Sequence, residues 1–227
     1  LDLPGAQLDL VRAVSATGTP TVVVVISGRV HTLGEVCEIA GAVAFTPPPG
    51  EEGGHGIVDV LIGAVDASGR LPVTLPRHVG QIPLHHDMRA RGNRSEIYGD
   101  YVDAPVSPLF PFGHGLSYTT FAYDDLAISP GSTTTPTTVT VTVTNTGARA
   151  GRHVVPVYVA TEAGPVRRPR RELRGFTKVS LAAGESQTIS LDLDRRAFAY
   201  YDVREADWVV PAGRYAIQVG RDAATVI

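Results

Sequence analysis

The run Thr21-Val22-Val23-Val24-Val25-Ile26, bounded in front by Gly18 and Pro20 and behind by Ser27-Gly28, decides the first half of the fold. Every residue in it is branched at the β-carbon, which stiffens the side chains and favours extended backbone. Valine and isoleucine fill consecutive positions rather than alternate ones, as in a strand covered on both faces within a parallel sheet. Upstream, Leu8, Val11 and Val14 recur at helical spacing, with Asp2 as a possible cap and Pro4 in the first turn. Downstream, a second helix is predicted over Thr32 to Ile39 and a second short strand over Ala42 to Phe45, before Pro47-Pro48-Pro49-Gly50 stops the chain abruptly. A third helix follows, with Glu51 and Glu52 expected in its first turn, where the helix dipole favours negative charge. Val58, Leu61, Ile62 and Val65 form its apolar stripe. Helix, strand, helix, strand, helix is the order of an α/β layer.

From about Thr119 the pattern changes to short strands separated by Gly, Pro and Asn turns. Val139, Val141 and Val143 alternate with Thr138, Thr140, Thr142 and Thr144, giving one apolar face and one hydroxylated face, and Asn145-Thr146-Gly147 then turns the chain. Further strands are expected at Val154 to Ala160, Glu172 to Val179, Ser186 to Leu193 and Tyr215 to Val219, a spacing that suits an immunoglobulin-like sandwich of about seven strands. The lone Cys37 rules out an internal disulfide and so disfavours an antibody-type domain; among Val36, Ile39 and Ala40 it reads as a buried thiol. Trp208, just before the last strand, is expected to pack in or against the core. The predicted organisation is therefore an α/β layer over 1–82, a long connection over 83–118 and an all-β sandwich over 119–227.

The chain has 227 residues, 43% hydrophobic and 19% charged, an ordinary globular composition. A net charge of −3 without a long basic block excludes the electrostatic footprint of a nucleic-acid or anionic-membrane binder. The Val22 to Ile26 run is far shorter than the roughly 18 apolar residues of a membrane span, so the chain reads as soluble, with cytoplasmic and secreted settings both compatible. Leu1-Asp2-Leu3-Pro4-Gly5 has no signal-peptide pattern and no starting Met, which reads as a fragment or processed product.

Three groups of motifs then appear in order. They are Pro49-Gly50-Glu51-Glu52-Gly53-Gly54 with Asp59-Val60-Leu61-Ile62-Gly63; Ser68-Gly69-Arg70-Leu71-Pro72-Val73-Thr74-Leu75-Pro76; and Tyr101-Val102-Asp103 with the stretch from Pro108 to Phe121. This order resembles glycoside hydrolase family three, and Arg171 to Phe176 and Gly213 to Gly220 are similar to that family's fibronectin type III-like module. The resemblance covers essentially the whole chain. It implies a parent enzyme with an N-terminal barrel, an α/β sandwich and the fibronectin-like module, acting on β-linked glucosides or related sugars. It also implies that the nucleophilic aspartate lies in the barrel and that the acid/base glutamate lies on a loop shortly before the segment matching Leu1 to Gln7. One departure is local: relatives commonly carry Trp-Leu or Trp-Phe before the Pro-Gly, where this chain has Phe45-Thr46-Pro47-Pro48-Pro49-Gly50.

Retaining glycoside hydrolysis needs two carboxyl groups about 5–5.5 Å apart. Glu51 and Glu52 are adjacent and do not share a helix face, so capping and dipole effects explain them. His85, His86 and Asp87, with His55 or His114, lack a defined ligand spacing. The glycines from Gly50 to Gly56 lack the Gly-Lys-Ser/Thr of a phosphate loop and are read as close backbone packing. Ser27 and Ser117 stand outside any Gly-x-Ser-x-Gly elbow. Arg167, Arg168, Arg170 and Arg171 around Pro169 read as a solvated, blunted edge strand. Asn93-Arg94-Ser95 matches a glycosylation sequon, and Tyr98, Tyr101, Phe110 and Phe112 are candidates for a cleft rim.

No residue receives a catalytic, cofactor-binding or metal-ligating role, and no cofactor is expected. The expected function is the C-terminal portion of a β-glucosidase-like hydrolase, inactive alone, whose partners are the upstream barrel and a β-glucoside or oligosaccharide substrate. The alternative is a noncatalytic carbohydrate-binding or subunit-interaction module. A half layer should also expose apolar faces, favouring homo-oligomers or aggregation.

Overall fold

The computed structural model describes residues 1–89, 104–162 and 164–227. The chain divides into two compact units. One comprises Leu1–Ala64, Val73–His85 and the stretch ending at Pro111; the other comprises Val65–Pro72, the stretch from His86, and Phe112–Ile227.

The first unit is built from α1 (Gln7–Ser15), β1 (Val22–Ile26), α2 (Gly34–Ile39), β2 (Ala42–Thr46) and α3 (Gly53–Leu61). Strands β1 and β2 pair in parallel from Val22 with Ala42 to Ile26 with Thr46, as the continuous aliphatic run requires. The helix starts differ from expectation. α1 begins at Gln7 behind Ala6, and Asp2 is not its cap: the Asp2 carboxylate instead accepts a short hydrogen bond from the Thr32 hydroxyl. Helix α2 begins two residues late, and α3 begins at Gly53, so Glu51 and Glu52 precede its first turn and Glu52 caps no backbone N–H.

The apolar stripes are largely uncovered. α1 and α3 bury no residue; Leu10 is 65% exposed, Ile62 72% and Ile26 56%. Only Val25 of β1 is fully buried, so the strand read as covered on both faces stands half-open in this chain. A parallel sheet of two strands lacks the layers that normally cover both faces. The glycine run is likewise only partly packed: a Cβ on Gly53 would fall 2.2 Å from Pro49 Cγ, whereas Gly54 and Gly56 face open space.

The second unit is an antiparallel sandwich. β3 (Phe121–Ser129), β4 (Thr137–Asn145) and β7 (Ser186–Leu193) form one sheet in the order β3-β4-β7. β5 (Gly151–Thr161), β6 (Glu172–Leu181) and β10 (Tyr215–Val219) form the other in the order β10-β5-β6. β8 (Tyr200–Asp202) and β9 (Asp207–Val209) make a separate hairpin.

The valine–threonine alternation of β4 places Val139, Val141 and Val143 in the core with Val155, Val157, Val159, Leu181, Ile189 and Val219. On the opposite face the hydroxyls pair across strands: Thr138 donates to Asp192 at 2.7 Å, Thr142 meets Thr188 at 3.0 Å and Thr144 meets Ser186 at 2.8 Å. Such cross-strand contacts reinforce a register already imposed by the buried valines. Pro156 sits within β5 beyond the last β10 pair, Val219 with Val157, and beside a register shift, where its missing N–H is tolerated.

Two expectations for this half are corrected. The arginine cluster is not simply solvated. Arg168 has a side chain only 5% exposed, pairs with Glu172 at 2.5 Å and donates to the Phe198 carbonyl; buried Arg171 donates to the Ala223 carbonyl. Trp208 lies in β9, 38% exposed, outside the core.

Candidate functional site

Two polar constellations hold the segments that carry the sequence motifs. The first lies past the carboxyl end of β1, the side of a parallel sheet where ligands bind in open α/β folds. Ser27 follows β1, and its amide donates to the Thr46 carbonyl at 3.0 Å. Buried His31 then links two segments: its Nδ1 lies 2.9 Å from the Leu1 carbonyl and its Nε2 3.0 Å from Ser27 Oγ. A carbonyl only accepts, so Nδ1 carries the proton and Nε2 accepts from the serine hydroxyl. The Thr32 amide also donates to Leu1 O at 3.2 Å.

This is a serine–histidine contact that spacing did not reveal. The third partner is a backbone carbonyl, not the carboxylate that stabilises an imidazolium in a hydrolytic triad. The Arg29 amide also donates to the serine oxygen at 3.2 Å. The group serves to anchor Leu1 and Asp2 against the β1 loop. Beside it, Asp2, Leu8, Thr32, Glu35, Arg77 and His78 are among the residues lining a cavity of about 220 Å³.

The second constellation, in the sandwich unit, ties the Ser68-Gly69-Arg70-Leu71 motif to β5. Arg70 donates from Nη1 to the Gly69 carbonyl at 2.8 Å and from Nη2 to His153 Nδ1 at 3.2 Å. That makes Nδ1 the acceptor, so His153 Nε2–H donates to Tyr123 Oη in a short contact, and the tyrosine hydroxyl passes its own proton to the Gly220 carbonyl at 2.8 Å. Asp66 accepts from Ser117 Oγ at 2.7 Å, the Tyr118 amide at 2.9 Å and the Arg152 amide at 3.0 Å. Burial pushes the Asp66 carboxyl up, but these three hydrogen bonds together hold it below the usual range. Gly113, at φ +82°, packs where a Cβ would come within 3.3 Å of Asp222 Cα. Among the described residues the buried Tyr158 hydroxyl has no hydrogen-bond partner.

Burial, and then the positive charges of Arg70 and Arg221, push His153 down to about 4. An unfolded histidine titrates near 6.5, so the unfolded chain takes up the proton first as pH falls. The stability held by neutral His153 is complete above pH 6.5 and is lost between there and pH 4, a change of about 3 kcal/mol. Thermal melts from pH 7.5 to 4 should show this component in the natural chain. In His153→Gln, which cannot be charged, the component disappears.

The other sequence candidates do not assemble. Glu52 pairs with His55 at 2.7 Å, with both side chains more than 80% exposed. His86 stacks on Phe112 at 4.1 Å, His114 lies 3.7 Å from Asp222, and Ser117 is committed to Asp66. Among the described residues no three His, Cys, Asp or Glu side chains gather as a metal site. Asn93-Arg94-Ser95, Tyr98 and Tyr101 lie outside the described residues.

An α/β unit and a fibronectin-type sandwich are the two kinds of domain that the fold defines. Residues 1–118 match the glycosyl hydrolase family 3 C-terminal domain and residues 153–223 the fibronectin type III-like domain, and the chain belongs to glycoside hydrolase family 3. It is 36% identical to the periplasmic β-glucosidase of Salmonella typhimurium, over all of this chain and 30% of that protein. It is 37% identical to an exo-α-(1→6)-L-arabinopyranosidase of Bifidobacterium longum, over all of this chain and 31% of that protein. Among solved structures, the β-glucosidase of Listeria innocua in complex with isofagomine matches with a TM-score of 0.92 at 32% identity, over 100% of this chain and 32% of that one. The chain thus spans about a third of the length of these relatives. Among the described residues no helix is long and apolar enough to cross a membrane.

Proposed function

We propose that this chain is the C-terminal portion of a β-glucosidase-like enzyme that hydrolyses terminal β-linked sugars with retention, using a nucleophile and an acid/base supplied upstream. The observation that carries this reading is the unfinished first unit: α1 and α3 bury nothing and β1 is half-open, as befits a layer completed by more of the same polypeptide. The names of the relatives supply the substrate class. Within that enzyme, residues 1–82 complete the α/β sandwich, 83–118 connect, and 119–227 form the fibronectin-like domain. The part played by this chain is to frame the pocket, with the His31 contact to Leu1 bracing the entry of the upstream segment.

The test is the stereochemistry of the complete polypeptide on an aryl β-glucoside, followed by NMR. First release of the β-anomer is expected from a covalent glycosyl-enzyme route. Release of the α-anomer, or no turnover of any β-glycoside, would overturn the proposal.

A further inference from the structure

The β8–β9 hairpin carries a surface feature that neither sheet uses for packing. Tyr201 and Trp208 are direct cross-strand partners, their rings 5.7 Å apart at 70°. The Arg196 guanidinium stacks 4.2 Å from the centre of the indole. Arg196 belongs to a 3-10 turn, Arg195–Phe198, whose first amides are oriented by Asp194: its Oδ1 accepts from the Ala197 N–H at 3.0 Å. Between the turn and the hairpin lies a cavity of about 310 Å³ lined by Asp194, Arg195, Arg196, Ala199, Trp208 and Val210.

The chemistry of this cavity is specific. A 38% exposed indole offers a flat apolar surface held in place by Arg196 and Tyr201. Asp194 and Arg195, neighbours in sequence and both exposed, line the cavity and make no ion pair among the described residues. With Arg196 engaged on the indole, Asp194 and Arg195 offer one group of each sign, which suits a neutral ligand with many hydroxyls that can donate to the carboxylate and accept from the guanidinium. The volume is at the lower end of small-ligand sites, which run from about 300 Å³.

We propose that this cavity binds a sugar ring of a β-linked gluco-oligosaccharide, with the ring against Trp208 and its hydroxyls on Asp194 and Arg195. A β-glucopyranose carries its hydroxyls equatorially and so turns C–H faces toward an aromatic plane, whereas an axial hydroxyl in a galacto-sugar interrupts one face. The choice of glucose rests on the β-glucoside reading above; the site itself rests only on the sandwich.

Trp208 is the only tryptophan in the chain, so its fluorescence reports the site directly. Titration of the 227-residue chain with cellotetraose should give a saturable emission change with Kd on the order of 1 mM, and a galacto-tetrasaccharide should bind more weakly. By calorimetry, Trp208→Ala should weaken binding at least about tenfold, as loss of an aromatic contact implies. Trp208→Phe, which keeps a ring in the hairpin, should bind between the two, and Arg195→Ala should weaken binding with Trp208 intact. No saturable change, or unaltered affinity in folded Trp208→Phe and Arg195→Ala, would overturn the site. Either result leaves the hydrolytic reading standing, because no turnover is measured.

Discussion

Assayed alone on an aryl β-glucoside, the 227-residue chain is expected to release product no faster than buffer, and adding the upstream part of the polypeptide in one chain should restore turnover. On the proposed reading the effect is the largest available, since enzymes accelerate such reactions by at least about 10⁶-fold and a chain without the two reacting carboxyls would lose nearly all of it. Five carboxylates among the described residues are engaged in contacts of their own. Glu35 is bound by Arg12 at 2.5 Å, and Glu172 by Arg168 and Arg174 at 2.5 and 2.7 Å. Asp66 receives three hydrogen bonds that keep it ionised, so it cannot serve as the protonated acid. Buried Asp222 orders a turn by accepting from the Ala224 and Thr225 amides at 3.0 and 2.9 Å. Glu52, largely exposed, pairs with His55. Turnover by the isolated chain that survives purification to homogeneity would show that one of these assignments is wrong.

Asn145→Ala should destabilise the sandwich by about 3–4 kcal/mol and lower Tm by on the order of 10 °C or more. Asn145 is fully buried, and its amide uses its whole capacity. Oδ1 accepts from Thr119 Oγ1 at 2.6 Å and the Gly147 amide at 3.1 Å, while Nδ2 donates to the Arg149 carbonyl at 2.7 Å and the Leu181 carbonyl at 3.1 Å. One side chain thus joins the end of β4 to the end of β6 in the facing sheet. Alanine strands these partners in a dry environment, where each unpaired group is costly. Asn145→Asp keeps the shape but turns a carboxylate toward two carbonyls, so it should be at least as damaging. Urea melts of both variants separate lost hydrogen bonding from lost packing, and a near-neutral Asn145→Asp would contradict the role given to Nδ2.

Much of the architecture is legible in the sequence. The β-branched run of β1, the valine–threonine alternation of β4 and the bounds of β7 and β10 follow from local periodicity and turn residues. Helix starts were less legible. Asp2 has the chemistry of a cap, yet Thr32, 30 residues away, claims it, and Glu52 is drawn to His55 rather than to the helix backbone. Arg168 and Arg171 look like surface charges because a guanidinium is normally hydrated; they are buried because Glu172 and two backbone carbonyls replace water. Trp208 departs from expectation for a related reason: an indole suits a core, but β8–β9 forms a sheet separate from the two of the sandwich.

The sequence by itself determined the fold class, the strands β1, β4, β7 and β10, and the family, because periodicity, turn chemistry and ordered motifs are properties of neighbouring residues. Only the tertiary structure decided which polar side chains are structural. Arg70 and His153 are 83 residues apart, and Tyr123 and Gly220 are 97 apart. A buried polar group must find its partner in space, and the choice of that partner is made by how the sheets pack.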